Sequence, residues 1–453
     1  MGSILSALNN SAGALKAYGS AFSVLQNNIA NANTPGFVRQ DQILVSLPFQ
    51  EGGAPGGVTV GPLLSSRSPY LERNVQYQQT LLGDASQRVG DLSAIEPQFA
   101  IGENAGLPAS INQFFAEFSS LAVNPNDTVA RQAVLDQADS TAAAFRQAGL
   151  GLKQATANAD AQTTSTVASI NDLAQRIADI NGEYRKNASG ATDPSLDAQL
   201  HANLENLASL TNFTTVRTQD GEVNVYLGGQ TPLVQADQLK AIHASIGSNG
   251  TQIVDDLGHD VTSLVNSGQL HALLQAKNTT LPSYSASLNQ LATAFADSVN
   301  ATLASGVDKN GVTPAVPLFS YDSSGGAAYT LTTNGLAPDD LAAASAGAPG
   351  GNGNAIAISQ LATAQVVGGL TFAQAYGNLG AQVGRDLAFA KQDKSQFQDT
   401  LTQAQAYRTD QTGVSLDAEA AKLLQLQQAY EAVGKLVGVL NQMTQTVLAM
   451  IQT

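Results

Sequence analysis

Residues 4–29, ILSALNNSAGALKAYGSAFSVLQNNI, place Ile4, Leu8, Ser11, Leu15, Tyr18, Phe22, Leu25 and Ile29 at alternating spacings of four and three. That is a heptad stripe of nearly four repeats, broken only by Ser11, and it predicts an amphipathic helix built for a helical partner. The stripe should stop near Asn33, because the residue before Pro35 is driven out of the helical region. Thr34-Pro35-Gly36-Phe37 then reads as a turn, with Pro at its second position and Gly at its third. The other end of the chain answers the first. From 416 to 451, Leu423, Leu426, Tyr430, Val433, Val437, Leu440, Thr444, Val447 and Ile451 repeat at three and four, with Thr444 the one polar member. A polypeptide that begins and ends with matching stripes goes out and comes back.

Both ends are short of charge. Residues 1–38 hold only Lys16, and residues 411–453 hold Asp417, Glu419, Lys422, Glu431 and Lys435. Solvent-facing helices usually carry many more charged side chains. Burying one stripe gains an amount of the same order as the backbone entropy lost in ordering it, so neither terminal helix should stand alone. Pairing the two would still leave neutral backs facing water, which points to further burial against other subunits and to ends that order on assembly. A helical hairpin inside a self-contained bundle is the competing reading. A membrane-surface helix fits less well, since such helices line their polar face with Lys and Arg.

Between the ends the pattern changes several times. Ile43, Val45 and Leu47 alternate ahead of the Gly/Pro-rich stretch Glu51–Pro62, which reads as an extended arm. Helical spacing fills about 68–97, 108–122 and 127–187, and a helical bundle is the natural assembly of these segments. Residues 211–244, with Phe213, Val216, Val223, Val225, Tyr226 and Leu227 between Asp220-Gly221 and Gly228-Gly229, predict a short β-meander. The expected fold is mainly α, with paired terminal heptad helices forming a coiled coil, a helical bundle domain and a small β-rich middle domain. The expected division is 1–66, N-terminal axial helix and arm, paired with 410–453, the C-terminal axial helix; 67–210, bundle; 211–261, β-rich insert; 262–305 and 361–409, helices returning to the bundle; and 306–360, loop or a reduced outer domain.

Composition removes most chemistry. With 21 Lys plus Arg against 36 Asp plus Glu, the formal charge of -15 repels phosphate backbones and anionic lipid, so no nucleic-acid partner is expected. There is no cysteine, hence no disulfide, thiolate metal site or thiol nucleophile. No apolar run approaches a membrane span, so no membrane insertion is expected, and the N-terminus lacks a basic region followed by an apolar core, so a general-secretory signal is not the expected route. The four histidines, His201, His243, His259 and His271, form no His-Glu-x-x-His pair. Asp255, Asp256, His259 and Asp260 could share a helical turn as metal ligands, but an acidic loop explains them equally well. Asp308-Lys309-Asn310-Gly311 begins like a calcium loop and fails at Val312 and Phe319. No catalytic residue, cofactor or metal is nominated.

Asn28-Ile29-Ala30-Asn31-Ala32-Asn33-Thr34-Pro35-Gly36-Phe37 resembles the N-terminal signature of flagellar rod, hook and hook-associated proteins. Gly413-Val414-Ser415-Leu416-Asp417, through Glu419 to Leu424 and then Gln427-Gln428-Ala429-Tyr430, resembles their C-terminal signature. Phe37 stands where Tyr is common and Leu426 where Phe is common. Within that superfamily the middle, notably Val223–Gly229, Leu281-Pro282-Ser283-Tyr284 and Gly353–Ala357, is similar to the proteins of the hook-filament junction. The resemblance implies uncleaved export through the flagellar type III apparatus and an extracellular place in the flagellum. It also implies assembly with sister copies as a ring, with hook protein below and a second junction protein or flagellin above. An export chaperone for the C-terminal helix is expected as well, because an exposed apolar helix invites premature association. The assembly residues expected on this basis are Ile4, Leu8, Leu15, Tyr18, Phe22, Leu25, Asn28, Ile29, Asn31, Thr34, Pro35, Gly36 and Phe37 at one end. At the other they are Leu416, Leu423, Leu426, Tyr430, Val433, Val437, Leu440, Val447 and Ile451. Another axial subunit, and a secreted coiled-coil adhesin, are the alternatives.

Overall fold

Helix α1 (Gly2–Ala30) leads through a turn into a β-ribbon, β1 (Gln40–Ser46) antiparallel to β2 (Val58–Ser65), and then into the long helix α2 (Pro69–Ile95). The computed structural model describes residues 2–49, 56–99, 106–186, 193–247 and 250–451. The middle of the expected arm stretch, 51–55, therefore lies outside the described residues. The fold is mainly α. Helices α3 (Gly106–Leu121), α4 (Thr128–Lys186) and α5 (Pro194–Leu210) follow, then the four-stranded antiparallel sheet β3 (Phe213–Arg217), β4 (Val223–Leu227), β5 (Thr231–Gln235) and β6 (Gln238–Leu239). A hairpin comes next, β7 (His243–Gly247) with β8 (Gly250–Val254). Helices α6 (Gln269–Gln275) and α7 (Leu281–Ala304) precede a segment with the two-residue strands β9 (Gly306–Val307), β10 (Phe319–Ser320), β11 (Thr332–Thr333) and β12 (Ala344–Ser345) and the short helices α8 (Ala327–Thr330) and α9 (Gly353–Gln360). The chain ends in α10 (Phe372–Thr412) and α11 (Leu416–Ile451).

Local sequence sets the starts. Pro69 occupies the first turn of α2, and Asp193 caps α5 by accepting from Ser195 N and Leu196 N. Thr371 and Gln374 form a reciprocal capping box at α10.

Two cores sit on one helix. The first half of α4 packs Val134, Phe145 and Leu152 into a core shared with α3, α7, α8 and α10, around a cluster of Phe114, Phe115, Phe295, Phe319 and Phe372 with ring centroids 5.2 to 5.9 Å apart. The second half packs Ile170, Ile177 and Tyr184 against α5, the β3–β6 sheet and α6. The sheet of the expected β-rich insert thus shares its core with the second half of α4 and with α5. An unbroken helical period in a 59-residue helix carries no mark where its packing partner changes. Residues 306–360, expected as loop or a reduced outer domain, are also part of the first core. Leu318, Phe319, Ala328, Leu331, Leu341 and Ile358 are all buried there.

A π-helical segment, Ala276–Thr280, joins α6 to α7 and fastens the β7–β8 hairpin. Asn278 donates to Thr251 O and accepts from Thr251 N, while Lys277 pairs with Asp160 of α4 at 2.6 Å. The Asp255–Asp260 group folds as a tight turn rather than a helix, with Asp255 accepting from Leu257 N and His259 N. Among the described residues no group of three potential ligands is placed to hold a metal ion, and no helix is long and apolar enough to cross a membrane.

Candidate assembly site

The two chain ends meet as an antiparallel helix pair. Asn28 contacts Glu419 near the start of α11, while Tyr18 and Phe22 share a groove with Leu426 and Tyr430 further along it. Helix α1 lies between two partners, α11 on one side and the β1–β2 ribbon on the other. Apart from Leu25, the side chains it buries are small or polar ones: Ser11, Ala17, Ala21 and Asn28. Of the expected stripe only Ser11 and Leu25 are among the buried residues. Ile4, Leu8, Leu15, Tyr18 and Phe22 are half-buried, and Ile29 faces solvent. On α11, Leu423, Leu426, Val433, Val437 and Val447 are half-buried and Leu440 is buried, whereas Leu416 and Tyr430 are exposed. The Ile451 side chain lies outside the described residues.

A second apolar row on α11 escaped the sequence reading. Leu436, Val439, Met443 and Met450 are exposed by 50% to 72%, and their spacings of three, four and seven match the first stripe displaced by one residue. Following a single line of the helical wheel discards the neighbouring line. The signal was present in the same residues.

Below the helix pair, a buried joint fixes where it leaves the body. Phe37 N donates to Thr34 O at 3.1 Å, closing the expected turn, and Gly36 takes φ +76 at its third position. A Cβ at Gly36 would lie 2.4 Å from Ala198 O, so glycine is required there both for conformation and for the approach to α5. Asn31 donates to Asn27 O and accepts from Thr34 Oγ1, tying the helix end to the turn. Pro35 is exposed and Phe37 half-buried.

Asn28 acts as a strand partner for Gln40. Its side-chain nitrogen donates to Gln40 O at 2.8 Å and its oxygen accepts from Gln40 N at 3.0 Å. The same amide donates to the buried Glu419 carboxylate at 3.2 Å, so one side chain joins α1, β1 and α11. Nearby, Arg39 N donates to Thr412 O, and Lys422 pairs with Asp41 at 2.8 Å. Burial pushes the Asp41 carboxyl up, but the hydrogen bond and charge of Lys422, followed by Arg39, outweigh it and hold the group below its ordinary range.

Arg67 uses all three of its nitrogens on different segments. It donates to Gly36 O at 2.5 Å, to Glu72 of α2 at 2.6 Å and to Asp197 of α5 at 2.7 Å. Arg408 of α10 extends the network to Glu72 and Glu205, each at 3.0 Å. His201 sits among these groups with Nδ1 unpartnered. Desolvation foremost, then the Arg67 charge, push its pKa down to about 4 against the pull of Asp197 and Glu72. Arg67, Glu72, Asp197, Glu205 and Arg408 were not singled out from sequence, because their partners lie far along the chain, 130 residues away for Arg67 and Asp197.

The site is a nearly uncharged two-helix unit with an exposed apolar row on α11, held at a fixed exit from an acidic body. That combination describes a chain whose two ends pair with each other and keep apolar surface free for other helices, and comparison with known proteins gives its family. Residues 8–37 match the flagella basal body rod protein family, and residues 408–450 match the C-terminal family of the flagellar basal body rod FlgEFG proteins. Residues 92–319, half of the chain, match the flagellar hook-associated protein FlgK helical domain, and the chain belongs to that family. Flagellar hook-associated protein 1 of Salmonella typhimurium is 27% identical over 320 residues, which take in 68% of this chain and 58% of that protein. The Bacillus subtilis protein of the same name is 22% identical over 489 residues, 96% of each chain. The solved flagellar hook junction protein FlgK of Burkholderia pseudomallei shares the fold, with a TM-score of 0.68 at 16% identity over 75% of this chain and 100% of that one.

Proposed function

We propose that this chain is a structural subunit of the bacterial flagellum, exported through the flagellar apparatus and assembled as a ring that joins hook to filament. Its activity is geometric: it presents a surface to hook protein below and to a second junction protein or flagellin above. The observation that carries this reading is the antiparallel pair of α1 and α11, whose outer row of Leu436, Val439, Met443 and Met450 faces solvent in a single chain. Exposed apolar rows of this length belong at interfaces. The same row is where an export chaperone would bind before assembly.

Labelling the protein on intact flagella tests the reading. A single narrow band between hook and filament is the expected result, together with loss of filament attachment in the Pro35→Ala, Gly36→Val double variant. Wild-type motility of that variant, with normal attachment, overturns it. A second reading, another axial subunit such as hook, rod or flagellin, draws on the rod-family matches at both ends. Label spread along a whole tube would favour it.

A further inference from the structure

The helix pair carries a knob on one face and a hole on the opposite one. The hole is a groove of about 470 Å³ whose lining includes Tyr18, Gly19, Phe22, Leu426 and Tyr430. No atom lies within 4 Å of where a Gly19 side chain would begin, so the groove is open at its centre. The knob is the end of the β1 arm, where Leu47 is 45% and Phe49 73% exposed. Leu47 N donates to Gly57 O, and a Cβ at Gly57 would lie 3.2 Å from the Asn10 side chain, which places this end of the arm against the Asn10 face of α1. Asn10 and Gly19 are about two and a half helical turns apart, hence on opposite sides of the helix. Phe49 is therefore kept from the groove of its own chain.

We infer that Phe49 of one copy seats in the Tyr18–Phe22–Leu426–Tyr430 groove of a second copy. The proposal rests on the flagellar reading above and adds the contact that would repeat around the assembly. Two complementary patches on opposite faces of one element make a heterologous contact, the kind that propagates into rings or helical arrays. A sister copy is the occupant because one chain carries both the knob and the hole, and charge permits the meeting. The cations Lys16, Lys422 and Lys435 of the end segments balance Asp417, Glu419 and Glu431, so the formal charge of -15 lies wholly on residues 39–410. Copies repel through their bodies and meet without that penalty at the helix pair.

The chain has no cysteine, so introduced thiols report the contact cleanly. Phe49→Cys combined with Gly19→Cys, oxidised in isolated flagella, is expected to give cross-linked multiples of the chain's own mass, absent from either single variant. A Cβ at Gly19 meets no atom within 4 Å, so Gly19→Phe starts into open space and favours the helix, and the variant is expected to fold normally by circular dichroism. Its incorporation into flagella is expected to fall about tenfold or more, the scale of one lost phenylalanine burial. Wild-type incorporation of Gly19→Phe overturns the inference. Absence of the cross-link in a double-cysteine protein that is present in flagella also overturns it, as do cross-links only to a different protein. If the unaltered chain is missing from flagella altogether, the functional reading fails and the contact falls with it.

Discussion

His201 is held neutral where an unfolded chain would take up a proton. Its pKa of about 4 in the folded protein lies well below the ordinary value of about 6.5, so between those values the unfolded state binds more protons. Stability from this residue is present above that window and is lost as pH falls through it, by about 2–3 kcal/mol at pH 4.5. Asp91 opposes the trend. Burial raises its carboxyl to about 6, so its ionisation costs stability as pH rises through the same range. The test is therefore the difference between the unaltered protein and His201→Gln in chemical denaturation. That difference should shift by about 2–3 kcal/mol between pH 7 and 4.5, in favour of the variant at low pH; a constant difference overturns the assignment. Sequence showed His201 only as one histidine of four. Gly36, by contrast, was legible, because a type II turn after proline demands a positive φ at that position and the motif is contiguous.

At the scale of elements, α1 and α11 were legible as helices and as partners, because heptad spacing is a local property of sequence. Their degree of burial was not. Of the described side chains of α11, only Glu419 and Leu440 are fully buried, against Phe114, Phe115, Phe118 and three others in the much shorter α3. A 36-residue helix anchored at so few points has little to resist local opening. In the free monomer, hydrogen exchange should therefore be fast over residues 4–29 and 423–451 and slow in α3 and the first half of α4. Assembly should slow the terminal segments. Strong protection of both ends in the free chain would mean that the pair is stable without neighbours. The passage of α4 from one core to the other, and the entry of residues 306–360 into the first core, follow from long-range contacts that no periodicity records.

For the whole molecule the separation of charge from apolar surface governs how copies come together. Residues 39–410 carry the entire -15, while the helix pair is neutral overall and has its apolar row exposed. Side-by-side association thus sets repulsion between bodies against burial at the helix pair. Salt acts on the first term. The screening length falls from about 10 Å at 0.1 M to about 3 Å at 1 M, so body–body repulsion fades as ionic strength rises. Apolar burial is not screened, and sodium chloride leaves it largely intact. Assembly of the purified protein onto isolated hooks, followed by sedimentation, should accordingly quicken and go further between 0.05 M and 0.5 M salt, as order-of-magnitude end points around the roughly 0.15 M physiological value. If added salt instead releases bound subunits, ion pairs between copies carry the contact, and the neutral helix pair is not where the copies are held together.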